Sequence, residues 1–390
     1  MIYISILLLV FVCVLLYDVY GYNRHKQGAF YLLCVVYCAL SAFQYMVGSD
    51  LPVYCRFYEK LNVSTFSIQA LFSYSEENLQ PGWVLLQFLC RFITSDFVLP
   101  KTIVAVFLNV TIFSFFKKES NYPFFCVFIY ALMSYLVLNF NVLRQSIAVA
   151  FFLIGYPSLK KRKYVKYAIL ALCAYMFHNS AWIIFAFPLL KLIRFGKATP
   201  YILVSFLVLV LFSFTVIDLE ALSFSLIESG LFSDDISTMA HGYMNSEALG
   251  VRESWSLFSL RRLFYGFLLV YYLFKEKDSY LSYYGVIYLI IDTLSSFMPI
   301  LWRFRLYFEI PFIVIVSNVI MTFPYNFLKG KLIRIKGAML LILISAMVYT
   351  TTSDYFARHP GEKYRYIDQY YPYHSVFNPI IDYDRYNYFQ

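Results

Sequence analysis

The chain has few charged residues, and this scarcity excludes most soluble folds. Only 14% of its 390 residues are charged, whereas 61% are apolar and 21% are aromatic, and the mean hydropathy is +0.64. Apolar runs long enough to lie across a bilayer recur along the sequence. The composition therefore predicts an all-α, polytopic integral membrane protein, because helices satisfy their own backbone hydrogen bonds in lipid.

Features of several other protein classes are also missing. No Gly/Ser-rich linker and no internal repeat divides the chain, so we expect one membrane domain over residues 1–353 and a Tyr-rich external tail over 354–390. The N-terminal apolar run lacks a positive leader and a small-residue cleavage site, which indicates a first transmembrane helix rather than a signal peptide. The net charge of +9 lies in short loops between apolar runs, so it reports topology and not a nucleic-acid surface.

The seven cysteines form no pattern that indicates a disulfide framework or a metal site. Their number is odd, and most lie within apolar stretches, where a small core hydrophobe is the expected role. Cys34 and Cys38 could share a helix face, but no His or carboxylate lies near them to complete a metal site. Since no cluster of carboxylates occurs elsewhere, we expect neither a metal nor a cofactor.

Apolar runs predict about twelve transmembrane helices. They cover residues 2–20, 28–47, 99–116, 122–140, 142–157, 164–177, 179–194, 200–217, 261–274, 280–300, 305–323 and 337–353. Two longer polar segments, 48–98 and 218–260, are predicted to be loops on the outer face. The apolar stretch 83–93 inside the first loop is too short to span, and it suits a re-entrant or interfacial helix.

Lysine and arginine residues predict the orientation of these helices. Six short loops carry 18 of the 32 basic residues, namely 21–27, 117–121, 158–166, 191–199, 275–279 and 324–336. Loops rich in Lys and Arg remain on the cytoplasmic side. Both termini, the two long loops and the tail are therefore expected outside.

Two ionisable residues, Arg144 and His178, lie within apolar runs near the middle of the chain. The helix that carries Arg144 ends at the basic block KKRK, 160–163, and the next helix rises ~1.5 Å per residue back toward His178. Both residues should therefore face the outer half of the membrane, where a buried ionisable group is a functional candidate. Each has a plainer alternative, because the Arg could snorkel to lipid phosphates and the His could be a buried hydrogen-bonding group.

The neighbours of Arg144 favour a functional role. Asn141, Gln145 and Ala148 share one helix face with it at spacings of three and four residues, which gives a polar and small stripe. A lipid-facing anchor needs no such stripe. His178 is left between the two interpretations.

The start of the first outer loop supplies another candidate, Asp50. Gly48 and Pro52 are predicted to stop the second helix and to leave Asp50 just beyond it, with Tyr54 following at helical spacing. A carboxylate at a helix end can instead be a cap or a solvated loop residue.

A third polar cluster, Trp-Arg-Phe-Arg-Leu-Tyr at 302–307, is predicted at the outer mouth of the eleventh helix. In a regular helix Arg303 and Arg305 would point about 200° apart. They can converge on one ligand only if this stretch is unwound. A Trp/Arg anchor at the membrane interface is the alternative.

The tail is rich in tyrosine and too polar to span a bilayer. Tyrosine rings can lie in the membrane interface, where one end is wet and the other apolar. They could equally stack on the apolar faces of sugars, and the sequence leaves both interpretations open.

Several short motifs occur in a defined order. They are Gly48-Ser49-Asp50 with Tyr54, Glu77 to Trp83, Leu143-Arg144-Gln145, Phe177-His178-Asn179-Ser180-Ala181, and Arg303-Phe304-Arg305-Leu306-Tyr307. Over about residues 20–325 they resemble the signature of the EpsG family of membrane polysaccharide polymerases, which are similar to Wzy proteins. The second outer loop and the tail lie apart from this resemblance.

The resemblance implies an enzyme of the bacterial cytoplasmic membrane whose active site faces outward. Such an enzyme joins polyprenyl-diphosphate-linked oligosaccharide repeat units into O-antigen, exopolysaccharide or capsule. The lipid-linked oligosaccharide and the bilayer would be its partners, together with a flippase and a chain-length regulator of the same pathway, and no nucleic acid.

The resemblance also suggests roles for the candidate residues. Permanently charged arginines suit the leaving diphosphate, and these are Arg144, Arg303 and Arg305. Asp50 or His178 would take the proton of the acceptor hydroxyl, and Asn141, Gln145, Tyr54 and Tyr307 would support them. Two other classes stay open: a flippase or transporter of lipid-linked sugars, and a glycan ligase or acyltransferase.

Overall fold

A computed structural model describes residues 2–48, 50–73, 79–193, 195–216, 225, 255–276, 279–295, 298–328, 333–356, 364–380 and 383. These residues form helices joined by turns and isolated bridges, without a β-strand. The all-α class predicted from the composition is therefore confirmed. The second predicted outer loop, 218–260, lies mostly outside the described residues.

The chain divides into two compact units, Met1–Pro188 with Ile367–Gln390, and Leu189–Tyr366. The predicted division at residue 353 stays a prediction. The helices of the first unit are α1 (Ile2–Cys13), α2 (Lys26–Ala42), α3 (Leu51–Lys60), α4 (Ile68–Ser73), α5 (Pro81–Arg91), α6 (Val98–Glu119), α7 (Pro123–Met133), α8 (Leu143–Lys160) and α9 (Tyr164–Tyr175). Shorter turns join them, including the π-helical turns Val14–Val19 and Val137–Asn141 and the 3₁₀ helix Asn179–Leu192. Within this unit α6 packs on α2 and α8, and α8 packs on α9.

The second unit is built around one long helix. Its described helices are α10 (Thr199–Val216), α11 (Trp255–Lys275), α12 (Tyr280–Leu294), α13 (Trp302–Phe327) and α14 (Ile333–Phe356). Helix α13 is apolar on all sides over most of its length and is almost wholly buried, as expected for a central helix. It packs against α11, α12 and α14, and Gly285 of α12 lets Ile315 approach closely.

Four described helices are long and apolar enough to cross a membrane: Ile2–Val19, Val98–Glu119, Trp302–Phe327 and Ile335–Ser353. Six further apolar helices have 10–17 residues, and a span needs about 20 unless the bilayer thins or neighbouring helices compensate. The membrane class stands, and the number twelve stays a prediction.

The predicted end of the second helix is wrong. Helix α2 ends at Ala42 rather than at residue 47, because Met46 and Gly48 adopt positive φ angles of 49° and 93° that a right-handed helix does not allow. Pro52 does not stop α2 but lies in the first turn of α3, where proline is tolerated because its missing N–H has no helical partner. Asp50 therefore precedes a new helix.

Several other predicted helices also differ from the observed ones, for example in the segments predicted at 122–140, 179–194 and 280–300. The segment predicted at 122–140 forms an α-helix that ends at Met133, and a π-helical turn follows at Val137–Asn141. The segment predicted at 179–194 is a 3₁₀ helix that contains Pro188. The helix predicted at 280–300 ends at Leu294. Periodicity alone does not distinguish these tighter and wider helical turns from α-helix.

A buried hydrogen-bonded network fixes how the first unit packs. The side-chain amide of Asn109 donates to Asn139 Oδ1 at 2.7 Å and to Ser41 Oγ at 3.3 Å. Asn139 in turn donates to the Tyr130 hydroxyl at 2.8 Å. Since buried polar groups must pair, this network holds α2, α6 and α7 in one register.

The tail packs on the end of α2. The backbone N–H of Tyr45 donates to His374 O at 2.8 Å, and that of Val376 donates to Phe43 O at 2.8 Å. The Tyr373 hydroxyl donates to Leu40 O at 2.9 Å. This part of the tail is therefore ordered against the first unit by backbone pairing.

Candidate functional site

Arg144 lies in the first turn of α8 and is partly buried. Its Nε donates to the Tyr54 hydroxyl at 3.2 Å, and its Nη1 donates to Gln80 Oε1 at 2.9 Å. Its guanidinium carbon lies 5.5 Å from the centroid of the Tyr54 ring, within range of a cation–π contact. These three contacts fix the plane of the guanidinium group, which is the property that matters for two-point recognition of an anion.

Tyr54 links this arginine to the carboxylate predicted from sequence. Its hydroxyl donates to Asp50 Oδ2 at 3.3 Å while it accepts from Arg144. Asp50 occupies the N-cap position of α3, yet its side chain makes no capping hydrogen bond in the described part of the chain. The position of Asp50 in the chain therefore fits the capping alternative. Its observed side-chain contact is with Tyr54, and we call these three hydrogen-bonded residues the Arg144–Tyr54–Asp50 array.

An apolar cluster lies beneath the array. The Trp83 ring packs on the Tyr54 ring with centroids 5.0 Å apart, and both side chains are buried. Leu143 and Ile147 of α8 join the same cluster. Apolar surroundings of this kind have a low dielectric constant, which strengthens the electrostatic interactions of the charged groups next to them.

A close backbone contact positions the segment that carries Gln80. The N–H of Gly82 donates to Met176 O at 2.8 Å, and a Cβ on Gly82 would lie 2.6 Å from that oxygen. Only glycine allows α5 to begin this close to the end of α9. The contact brings the chain just before His178 against the chain just after Gln80.

His178 is partly buried and is engaged by the residue two positions later. Its Nδ1 lies 2.7 Å from Ser180 Oγ and accepts the Ser180 backbone N–H at 3.2 Å. This contact caps the 3₁₀ helix Asn179–Leu192. This geometry is the one expected if His178 is a buried hydrogen-bonding group.

The predicted polar stripe is only partly formed by α8. Gln145 and Ala148 lie on α8 and are fully buried. Asn141 precedes the helix as the last residue of the π-helical turn, and Val142 follows with φ −90° and ψ 50°. The prediction that one helix carries all four residues is therefore wrong, because the backbone breaks between Asn141 and Arg144.

The second unit contains a buried ion cluster that joins three helices. Asp292 pairs with Arg305 at 2.7 Å and with Arg262 at 3.3 Å, and Arg305 pairs with Glu309 at 3.5 Å. The side chains of Arg262, Asp292 and Glu309 are 1–2% exposed. Each buried charge of this cluster is therefore paired with an opposite charge, as burial requires.

The two arginines predicted near the outer mouth of α13 point to different partners. The chain is helical from Trp302 onward, so the unwinding that convergence required is absent over this described stretch. Arg303 lies over the Trp302 ring at 4.7 Å, as the anchor alternative expects, while Arg305 enters the ion cluster. Tyr307 is fully buried. A role for Arg303 and Arg305 at a diphosphate stays a prediction.

Sequence reasoning missed Arg262 and Asp292. The available signal was a lone carboxylate in the apolar run predicted at 280–300, which ordinarily marks a paired or functional group. Its partner lies 30 residues earlier, and no local pattern identifies it.

The described residues contain no group of three or more His, Cys, Asp or Glu side chains arranged to hold a metal ion, and all seven cysteines are free. The motif positions Ser49 and Glu77 lie outside the part of the chain that the structure describes. The described site therefore contains a fixed cation, a hydroxyl and a carboxylate, from Arg144, Tyr54 and Asp50. Together these groups can bind an anion and accept a proton.

Comparison with known proteins identifies a family. A family model described as the EpsG family matches residues 28–375. No curated protein and no solved structure matches the chain. The matched range contains every candidate residue named above, and it extends into the tail beyond the motifs found by sequence reasoning.

Proposed function

The chain belongs to the EpsG family, and on that premise we propose that it polymerises polysaccharide from polyprenyl-diphosphate-linked oligosaccharide repeat units. Family membership indicates a membrane polysaccharide polymerase, that is, a glycosyltransferase-like activity. The lipid-linked substrate, the residues and the side of the membrane are part of the proposal.

The observation that carries the proposal is the Arg144–Tyr54–Asp50 array. Arg144 supplies a permanent positive charge with its plane fixed by Tyr54 and Gln80. A guanidinium group can bind two phosphate oxygens at once, and a preorganised cation stabilises a charge that develops in the transition state. Asp50 supplies a proton acceptor joined to the same tyrosine.

The proposed step is a transfer of the donor glycan to an acceptor hydroxyl. The acceptor oxygen forms a bond to the anomeric carbon as the bond from that carbon to the diphosphate breaks. The electron pair of the broken bond leaves with the polyprenyl diphosphate, whose charge Arg144 stabilises. The hydroxyl proton passes to the base.

Asp50 fits the role of base better than His178. A backbone N–H can only donate, so Nδ1 of His178 is the acceptor toward Ser180 and the neutral ring carries its proton on Nε2. Protonating Nδ1 would cost the cap of the 3₁₀ helix. A carboxylate offers about four lone-pair sites, so Asp50 can accept from Tyr54 and from a substrate hydroxyl together.

The proposed site faces outward across the bacterial cytoplasmic membrane. Arg144 and Lys160 lie at opposite ends of α8, about 24 Å apart at the helical rise, and Lys160 begins the basic loop expected inside. This separation approaches the thickness of the hydrocarbon core.

Arg303 and Arg305 remain proposed as further diphosphate ligands. Arg303, stacked on Trp302, is proposed to bind diphosphate from that position. For Arg305 the proposal requires a phosphate oxygen to replace one of the carboxylate contacts with Asp292 or Glu309.

Reconstitution tests the proposal. The purified protein in proteoliposomes, given lipid-linked repeat units, should produce a ladder of polymers and release polyprenyl diphosphate. Asp50→Asn should abolish the ladder at unchanged protein level, while His178→Asn, whose amide oxygen can still accept from Ser180, should retain activity within about threefold.

Other outcomes distinguish the competing classes. Movement of the lipid-linked unit across the bilayer without chain growth would indicate a flippase. Transfer of a single glycan or an acyl group without a ladder would indicate a ligase or acyltransferase. Loss of Asp50→Asn protein from the membrane would favour the capping role.

A further inference from the structure

Asn141 is the point at which the tail meets the candidate site. Its Nδ2 donates to Gln369 Oε1 at 3.0 Å and to the Tyr370 hydroxyl at 2.8 Å. A side-chain amide has two such hydrogens, so both are used by the tail. All three residues are buried, with Tyr370 fully so, and hydrogen bonds in such a setting are strong and expensive to break.

The other end of the Asn141 amide lies against Gly48. A Cβ on Gly48 would be 2.4 Å from Asn141 Oδ1 and 2.5 Å from Phe140 O. The Gly48 N–H donates to the backbone oxygen of Gln369 at 3.2 Å. Gly48 is therefore enclosed between the side chain of Asn141 and the backbone of the tail.

The segment 43–50, which we name the Asp50 turn, has little regular structure of its own at its described residues, 43–48 and 50. Met46 and Gly48 take positive φ angles, and the tail pairs with the turn at Phe43 and Tyr45 as well as at Gly48. Without such outside contacts a segment of this kind samples many conformations. Its last residue, Asp50, is the N-cap residue of α3 and so sets where Tyr54 lies.

Asn141 also lies just before the helix that carries Arg144, and the helical backbone is interrupted once between the two residues. The π-helical turn ends at Asn141, and α8 begins at Leu143. The Asn141 side chain therefore influences the positions of both end residues of the array. It acts on Asp50 through its contact with Gly48, and on Arg144 through the start of α8.

From these contacts we propose that Gln369 and Tyr370 are positioning residues, which hold the Asp50 turn and the start of α8 in place through Asn141. The activity part of this inference rests on the proposed function. The tail is then neither an interfacial belt nor a sugar platform at these two positions, because their side chains are buried and engaged.

The test removes both acceptors while keeping side-chain volume. The double variant Gln369→Met, Tyr370→Phe leaves the Asn141 amide without its two tail partners. Tyr373→Phe is the matched control, since it removes a tail hydroxyl that donates to Leu40 O and does not involve Asn141.

Hydrogen exchange, read by mass spectrometry on the full-length proteins, gives a readout independent of any reaction. Peptides that cover residues 43–50 should exchange about tenfold faster in the double variant than in the wild type. The Tyr373→Phe protein should match the wild type there. Unchanged exchange over 43–50 in the double variant would overturn the proposal.

Turnover provides the second readout. At equal amounts of folded protein, kcat should fall about fivefold for each lost bond. Asn141→Ala should lower kcat by itself, and adding the tail substitutions to it should cause no further loss, because they act through Asn141. Faster exchange with normal kcat, or a fully additive loss, would contradict a positioning role through this residue.

Failure of the proposed function is distinguishable from failure of this inference. A wild-type protein that does not polymerise lipid-linked units rejects the proposed function. The exchange measurement on the same variants then decides alone whether the tail holds the Asp50 turn.

Discussion

Replacing Tyr54 by phenylalanine removes the hydroxyl that joins Arg144 to Asp50 and leaves the ring in place. Two hydrogen bonds are lost, one from Arg144 Nε at 3.2 Å and one to Asp50 Oδ2 at 3.3 Å. The packing on Trp83 and the cation–π contact with Arg144 use only the ring. The change therefore breaks the array without opening a cavity.

The lengths of these two bonds set the expected magnitude. Hydrogen bonds to charged groups contribute about 1.5–3 kcal/mol each, and strong ones are shorter, at about 2.7–2.9 Å. We therefore take the lower value for each bond and expect a total of about 1.5–3 kcal/mol, allowing for coupling between them. This corresponds to a loss of about 10- to 150-fold in kcat/KM.

The assay is polymer formation by purified, reconstituted protein, with thermal unfolding measured in parallel. Tyr58→Phe is the matched control, because Tyr58 lies on the same helix and in the same apolar cluster, but donates to Thr94 O at 2.7 Å. It should cost about 1 kcal/mol of stability and leave kcat/KM unchanged. Wild-type kcat/KM in Tyr54→Phe, or an equal loss in Tyr58→Phe, would refute the array.

Three further predictions concern folding and topology. Gly48→Ala should destabilise the protein by more than the ~1–2 kcal/mol that a positive φ angle costs alone. The free energy of unfolding is measured in detergent, with Gly21→Ala as the control because a Cβ there meets nothing within 4 Å; equal effects of the two substitutions would contradict the close approach at Gly48. Asp292→Asn should cost about 3–5 kcal/mol because it removes the carboxylate that pairs with the buried Arg262. Glu119→Gln, which breaks a pair with a half-exposed lysine, should cost at most about 1 kcal/mol; similar losses would refute the ion cluster. Cysteines introduced in the loop 158–166 should resist an impermeant maleimide in intact cells, while those in the predicted outer loops and tail should react; labelling of the KKRK loop would reverse the orientation.

The labelling experiment has an internal reference in a native thiol. Burial and the neighbouring Glu59 carboxylate raise the pKa of Cys55 to about 12, so little thiolate forms at neutral pH. Since the thiolate is the reactive species, Cys55 should label slowly and add little background. Rapid labelling of Cys55 in the wild-type protein would contradict this raised pKa.

Features with local signals were predictable from the sequence. The helix predicted at 142–157 agrees closely with α8, because an apolar run and a basic block define it without reference to the rest of the chain. Arg144 was identifiable as the only charge in that run. Asp50 was identifiable four residues before Tyr54, although Pro52, between them, was assigned to the wrong helix, since proline serves both as a stop and as a first-turn residue.

Features that depend on distant partners were not predictable. Asn141 bonds with Gln369, 228 residues later, and Arg262 pairs with Asp292 only because α11 packs on α12. Hydrophobic periodicity indicates which face of a helix is apolar, but it does not indicate which other helix packs against that face. The contacts of the tail with Asn141 therefore emerged from the structure alone.

The central claim is that Arg144 binds the leaving diphosphate with a planar, oriented charge, and Arg144→Lys tests it most directly. Lysine keeps the positive charge but loses the planar fork and cannot reproduce the paired contacts with Tyr54 and Gln80. The account predicts a loss of about 1–3 kcal/mol in transition-state stabilisation, or about 5- to 150-fold in kcat/KM, at unchanged protein level, with Arg144→Ala lower still. Near-normal turnover of purified Arg144→Lys on a lipid-linked repeat unit would contradict it, because lysine snorkels to lipid phosphates as well as arginine does.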